Sequence, residues 1–566
     1  MRDYAAEDLD RALLPPTVLS FADVANIIED DLALPPVRKR DLVSGLRRIA
    51  DALQRSLGDV PANPKWLQPR LAAIEPAAMG IAQKTWTNAV SNARSAFVIA
   101  GIVEGRQQSV RDLTTDWRAL WSRVLTSNDS TISKATRRLV FFLSRLGVHP
   151  QDVEDDHLDA FHEALARNEI SKDPVRAYRA AANGWNLAID RIEGWPSHRF
   201  TLPMRQHKVA LPIKTFSQSF QGDLAGLVAD LADPDPLSDL SHRKPLRPDT
   251  IRQYRKQILC FASRLVTSGV NPKEIRDVQF LLNPQIAKRG LQQMLDESNG
   301  EINRAISETA ALLRNLGGIL RLPETQTQKL ADLAKRVRKP QQLCLTDKNR
   351  ERLRVLQDQR IQNRLFALPD QIFARSAGST APYEYGLARE DALAIAILLV
   401  APLRVKNLSE LHLEHSLHRP GDVGVFLTVA EQDSKNGRSL EFELPRDVVR
   451  LLNLHLKNRS AKLCPPGTPW LFPRRDGLGP VDRNQLSARI RKRLRRELGI
   501  HVHTHLFRHF AVMVWLEANP GSYEIAKRLL GHSELSHTIN MYSGLEATAA
   551  IRAFGELIAQ KRNASR

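Results

Sequence analysis

The chain has 566 residues, 42% of them apolar, and a formal net charge of +19. That length suggests three or four domains, the mean hydropathy of −0.33 is that of a soluble protein, and the basic excess points to a polyanionic partner, nucleic acid above all. No apolar run reaches the ~18–20 residues that cross a bilayer. The opening MRDYAAEDLD is too acidic for a secretory signal, and Cys260, Cys344 and Cys464 are too scattered for a zinc site or a disulfide framework. A cytoplasmic protein with no membrane attachment is therefore expected.

Residues 1–112 read as a helical domain. Arg38–Arg55 puts Leu42, Leu46, Ile49 and Leu53 on one helix face, and Ala72–Ile102 is alanine-rich with apolar residues at helical spacing. A second helical module spans 113–205. Ser133 is a candidate cap for a helix through Leu139, Phe142 and Leu146 that Gly147 and Pro150 end. Further helices are expected over Asp155–Arg167 and Pro174–Ile192. Residues 201–215 and 233–247 are proline-rich and read as linkers.

A third module, 247–338, repeats the theme. Asp249 is a candidate cap for a helix through Tyr254, Ile258, Phe261 and Leu265 that Gly269 and Pro272 end. Ser144-Arg145-Leu146-Gly147-Val148 and Ser263-Arg264-Leu265 with Gly269-Val270 look like one unit used twice, although two ordinary helix ends would share the same punctuation. From about Leu343 the pattern changes. Thr346 is placed to cap a helix, and Asp391–Val400 is a continuous apolar helix. Val425–Val429 and Leu440–Leu444 are short strands around Asn436-Gly437, a type I′ hairpin signal. Helices dominate again to the end. The expected class is mainly α, closed by a mixed α+β domain over 340–566 with a small antiparallel sheet.

The densest chemistry runs from His505 to Tyr542, HLFRHFAVMVWLEANPGSYEIAKRLLGHSELSHTINMY. His505 and Arg508 are three apart and so share a helix face, and a guanidinium forks onto phosphate oxygens. Asn519-Pro520-Gly521 breaks that helix. A second ends at Leu530 with Gly531 as C-cap and His532 just past it. Tyr542 stands ten residues beyond His532, inside a short helical turn that Ser536 could cap.

This ordered set resembles the catalytic core of the tyrosine recombinases, the phage integrase family. The family pattern H-x-x-R-H, then Leu-Gly-His, then a tyrosine stands here as His505, Arg508 and His509, then Leu530-Gly531-His532, then Tyr542. Pro402-Leu403-Arg404-Val405-Lys406-Asn407-Leu408 resembles the family's G-L-R-x-x-E-L, with Asn407 at the acidic place. Leu506 stands where an acidic residue is common, and the interval from His532 to Tyr542 is one residue longer than usual.

The resemblance implies the following chemistry. Tyr542 attacks a DNA phosphate and forms a 3′-phosphotyrosyl link. Arg404 and Arg508 bind the non-bridging oxygens, and Lys435 on the hairpin protonates the departing 5′-oxygen. His505 acts as base or orients the phosphate, and His532 assists. The covalent link conserves the phosphodiester energy, so no cofactor, metal or nucleotide is implied. The implied partners are double-stranded DNA and further copies of the chain, as a tetramer on DNA, with the helical modules similar to core-binding domains that clamp the duplex. A helix after the tyrosine often docks on a neighbouring subunit in the family, and Leu545–Lys561 carries an apolar stripe suited to that or to folding back on its own domain.

Each residue has a plainer explanation on its own. An arginine or a hairpin lysine is usually solvated, a tyrosine usually packs, and His532 could simply be a cation at a helix end. The order and spacing of the whole set favour the chemistry. Lys406 and Arg438 rival Lys435, and Tyr523 rivals Tyr542. His501, His503 and His505 alternate as strand neighbours could around zinc, but no partner motif with zinc spacing stands nearby. The expected function is a site-specific recombinase or integrase of a mobile element. Its rivals are a type IB topoisomerase and a DNA-binding regulator that has lost cleavage.

Overall fold

The structure is a computed structural model that describes the chain except residues 1–17, 106–108, 172, 202–209, 235–243, 341–344, 377–381, 422–423, 435–436, 438, 462, 532–533 and 565–566. It is mainly helical with a small antiparallel sheet. Residues 1–202 together with 343–566 form one compact unit, and 203–342 form another. Among the described residues no helix is long and apolar enough to cross a membrane.

In the larger unit the chain first makes helices Phe21–Asp30, Pro36–Ala52, Pro64–Ala73 and Gln83–Ile99 around one apolar cluster. Ser20 and Asp23 form a reciprocal capping box at the first of these, worth about 1 kcal/mol. The stretch expected as one helical run from Ala72 is broken by a short 3-10 turn at Pro76–Met79. Gly45 lets Pro36–Ala52 cross Gln83–Ile99 closely, since a Cβ there would meet Asn92 and the Ala89 carbonyl at 2.8 and 2.9 Å.

Helices Thr115–Thr126, Ser130–Arg145, Asp155–Asn168 and Pro174–Arg191 enclose a second cluster built on Trp117, Trp185 and Trp195. The cap of Ser130–Arg145 is Asp129, which accepts from the Thr131 and Ile132 amides, and Ser133 lies inside the helix. The first bundle also touches the C-terminal part of the chain. Glu75 pairs with Arg495, and Gly499, at φ +74°, leaves room for Ala78 where any Cβ would clash.

The smaller unit packs Gln218–Ala232, Pro248–Thr267, Pro284–Asp296, Arg304–Ile319 and Glu324–Arg336 around its own core. Its long helix begins at Pro248 after Arg247, so Asp249 sits in the first turn and not at the cap. Ser263 accepts the Leu211 amide at 2.8 Å here, and Ser144 accepts the Thr114 amide at 2.9 Å in the other unit. The repeated Ser-Arg-Leu thus makes the same kind of buried tether in each module.

The C-terminal elements are α1 Asp347–Leu356, α2 Gln359–Ser376, α3 Pro382–Val400, α4 Val405–Ser409, β1 Leu417–His418, β2 Val425–Val429, β3 Leu440–Leu444, α5 Arg446–Lys457, α6 Arg483–Leu498, α7 Leu506–Ala518, α8 Tyr523–Leu530 and α9 Leu535–Ala564. Thr346 caps α1 through its hydroxyl. The sheet runs β1-β2-β3, with Val429 opposite Leu440. From Ala392 to Leu398 α3 is buried on every side, at roughly 1.5–3 kcal/mol for each large side chain. Its acidic pair, Glu390 and Asp391, is held by Arg489 and Arg493 of α6 at 2.7–3.1 Å. Tyr542 does not lie in a short turn capped by Ser536. It belongs to α9, a single helix of 30 residues that absorbs the expected tail helix as well.

Candidate active site

Pro402 disfavours helical backbone at Ala401, and α3 stops at Val400. The chain turns through Leu403, and Arg404 starts α4 as its N-cap residue, with its carbonyl accepting from Leu408. Arg404 is half-buried, and that burial lowers its pKa.

Arg508 lies in the first turn of α7 and is 3% exposed. Its guanidinium donates Nη1–H to the Pro402 carbonyl and Nη2–H to the Leu530 carbonyl, each at 2.6 Å. Burial pushes its pKa down to about 10, with the Arg404 charge acting the same way and Tyr542 opposing. It therefore stays cationic at neutral pH. The two carbonyls fix the orientation of a charge that would otherwise be costly to bury.

Leu530 ends α8, and Gly531 follows in the left-handed region at φ +59°. A Cβ at Gly531 would also lie 2.8 Å from the Leu440 side chain of β3. Both the turn and the close approach of the hairpin thus require glycine.

Tyr542 enters from α9. It is 1% exposed and packs with Val512, Leu516, Ala526 and Leu530. Its hydroxyl lies 2.8 Å from Nδ1 of His509, also buried, on α7. Burial lifts the phenol well above its ordinary range, and the Arg508 charge opposes that shift. His505 is exposed at the start of α7, its ring edge-on to His509 with 5.0 Å between centroids.

The structure thus brings Arg404, Arg508, His505 and Tyr542 into one neighbourhood. Lys435 and His532 lie outside the described residues, as does Arg438. Lys406 pairs with Glu410 at 3.9 Å, and Tyr523 packs partly buried against the cluster around Tyr542. His501–His503 are not a strand, and the group able to hold a metal ion among the described residues is His412, Glu414 and His415 instead. Nδ1 of His412 already accepts the amides of Glu414 and His415. Sequence reasoning gave His509 no part in the site. Its one signal was its position directly after Arg508 in the matched motif.

Residues 380–548 match the family model described as the phage integrase family. The tyrosine recombinase XerC of Pseudomonas putida (strain W619) is 26% identical over 160 residues, which is 28% of this chain and 50% of that protein. The chain thus spans about half the length of the curated relative it matches. Among solved structures, XerH site-specific recombinase bound to difH substrate in a pre-cleavage complex aligns with 61% of this chain and 99% of its own at 11% identity and a TM-score of 0.30. Its post-cleavage complex on palindromic difH substrate gives 12% identity over the same shares and a TM-score of 0.31. XerA recombinase gives 16% identity, 52% and 87% coverage and a TM-score of 0.22.

The fold class is mainly α with a small antiparallel sheet, and the described motif residue Arg508 and its neighbour His509 lie on the helix that packs against the buried Tyr542. Over residues 380–548 the chain is similar to the tyrosine recombinases of the phage integrase family.

Proposed function

We propose that this protein is a site-specific DNA recombinase that cuts and rejoins double-stranded DNA through a 3′-phosphotyrosyl intermediate, acting as the integrase of a mobile element in the cytoplasm. The carrying observation is the buried Arg508 guanidinium, fixed by the Pro402 and Leu530 carbonyls, on the same helix whose His509 touches the buried Tyr542 hydroxyl. Fixed cations beside a phosphorus centre stabilise the charge that develops on its oxygens, and in a site sheltered from water they need no reorganisation to do so. In this reading Tyr542 is the nucleophile and Arg404 and Arg508 bind the non-bridging oxygens. Lys435 protonates the leaving 5′-oxygen, and His505 and His532 assist at the phosphate.

The helical modules 1–112, 113–205 and 247–338 serve as DNA-gripping domains ahead of the catalytic domain 340–566. Strand exchange takes place in a homotetramer on DNA, and the excess of +19 charges supports the contact with the duplex. One observation favours a second reading, a regulator that binds DNA without cutting it. Tyr542 is 1% exposed, so a phosphate reaches its oxygen only if the cluster around it opens. Incubation with suicide substrates from the DNA flanking the gene separates the two. A covalent 3′ adduct supports the recombinase. DNA binding without any adduct supports the regulator. Exchange between two defined sites, as opposed to plain relaxation of supercoils, separates the recombinase from a type IB topoisomerase.

A further inference from the structure

A phenol attacking phosphorus must shed its proton, and in this site burial holds the Tyr542 proton more firmly than water would. A proton acceptor in contact with the hydroxyl is therefore required. Among the described residues the group at that atom is His509, with Nδ1 2.8 Å from the Tyr542 oxygen, inside the heavy-atom range for general-base transfer. His505 stands one turn earlier, exposed, with its ring against His509. Among the described residues Arg508 on α7 and His505 at its head face the His509–Tyr542 pair, and Arg404 at the head of α4 acts on Arg508. From α1, Lys348 and Arg352 act on His503, further along the same histidine row.

We propose that His509 is a catalytic residue whose Nδ1 takes the proton of the Tyr542 hydroxyl as that oxygen attacks the DNA phosphate, a proposal that rests on the recombinase reading above. The imidazole works in the tautomer that carries its hydrogen on Nε2, which leaves the Nδ1 lone pair on the hydroxyl. The Tyr542 O–H bond breaks and its proton passes to Nδ1. The phenolate oxygen bonds phosphorus. The bond from phosphorus to the 5′-oxygen breaks, and that oxygen leaves with the electron pair and takes a proton from the acid assigned to Lys435. Religation reverses each step, with the Nδ1 proton returning to the tyrosine. The arrangement gives His505 a different task, at the phosphate and the His509 ring edge.

The test is single-turnover cleavage by the full chain on a suicide substrate whose scissile 5′-oxygen is replaced by sulfur. A leaving thiolate needs no acid, so the pH profile reports on the base alone. Wild-type cleavage should fall as pH drops and imidazole takes up a proton, because protonated His509 can accept nothing. His509→Asn places an amide group where Nδ1 stood, so a hydrogen bond to Tyr542 can remain, but an amide cannot take the proton. It should bind DNA like the wild type, cleave about 10²–10⁴-fold more slowly and lose the acid limb.

A His509→Asn protein that cleaves as fast as the wild type, or faster, overturns the assignment and leaves His509 as a holder of the tyrosine only. Should that variant fail to fold, the wild-type profile decides alone, since a pH-independent profile with sulfur at the leaving position also overturns it. Failure of the recombinase reading is distinct. In that case the wild type itself would bind DNA and yield no 3′-phosphotyrosyl adduct at any pH.

Discussion

Arg508, in the first turn of α7, donates a 2.6 Å hydrogen bond to the carbonyl of Leu530, the last residue of α8. The same guanidinium holds the Pro402 carbonyl two residues before Arg404. One side chain thus ties together the two segments that carry other motif residues, and it does so by geometry that only a planar fork can satisfy.

That relationship predicts the outcome of Arg508→Lys. The charge survives, but one ammonium cannot span both carbonyls in the same directions, and a buried carbonyl left unpaired costs about 1–3 kcal/mol. Thermal unfolding should show a loss of that order. Covalent adduct formation should drop about 10²–10³-fold, the scale for removing one preorganised donor. Near-normal cleavage by Arg508→Lys would mean that only the charge matters.

Tyr542→Phe should abolish covalent adducts and spare DNA binding. The ring still fills the cluster of Val512, Leu516, Ala526 and Leu530, so the domain should remain folded. The cost should be about 1–3 kcal/mol, because His509 loses its partner at 2.8 Å. Adducts that persist would move the nucleophile elsewhere, with Tyr523 as the first residue to replace next.

Gly531→Ala tests the turn that precedes His532. The left-handed backbone at φ +59° costs a side chain roughly 1–2 kcal/mol, and the new Cβ must also displace Leu440. A total destabilisation of about 2–5 kcal/mol is expected by denaturant unfolding. An unchanged midpoint would show that the hairpin yields freely at Leu440.

The far end of α9 offers a separate test. Phe554 is 63% exposed, and Leu557 and Ile558 are exposed beside it. If a second copy covers this stripe on DNA, removing residues 553–566 should leave the melting temperature and half-site binding unchanged. Cooperative assembly should weaken on the order of a hundredfold, the equivalent of losing two partly buried apolar side chains. Loss of half-site binding in the truncated protein would instead make the stripe part of its own domain.

Ionic strength supplies the last prediction. With a net charge of +19, binding should fall linearly on a log–log salt plot, with a slope of about −0.9 per phosphate neutralised. A nearly flat plot between 50 and 200 mM salt, roughly the span over which six to ten contacts would cost 10³–10⁵ in affinity, would argue against an extended duplex interface.

Several features were legible in the sequence because their causes are local. Thr346 caps α1, Gly531 closes α8, and β2 and β3 run over the residues their alternation indicated. The all-round apolar α3 and the mainly helical class were equally plain. Even local signals failed where two candidates competed within one turn. Asp129 caps where Ser133 was expected, and Pro248 opens the helix that Asp249 was expected to cap. Gly555 did not interrupt α9, because one glycine costs only about 1 kcal/mol in a helix of 30 residues.

The site itself was decided by packing. Arg508 is 106 residues from Pro402 and 22 from Leu530, and His509 is 33 from Tyr542. Nothing in the spacing of a motif says which carbonyls a buried guanidinium will find, or which imidazole a phenol will meet. Those partners are set by how α7, α8 and α9 stack on one another, and that stacking follows from apolar side chains far apart in the chain choosing a common interior. Sequence named the groups capable of the chemistry. Only the tertiary fold selected His509, a residue with no assigned part, to stand against the tyrosine hydroxyl.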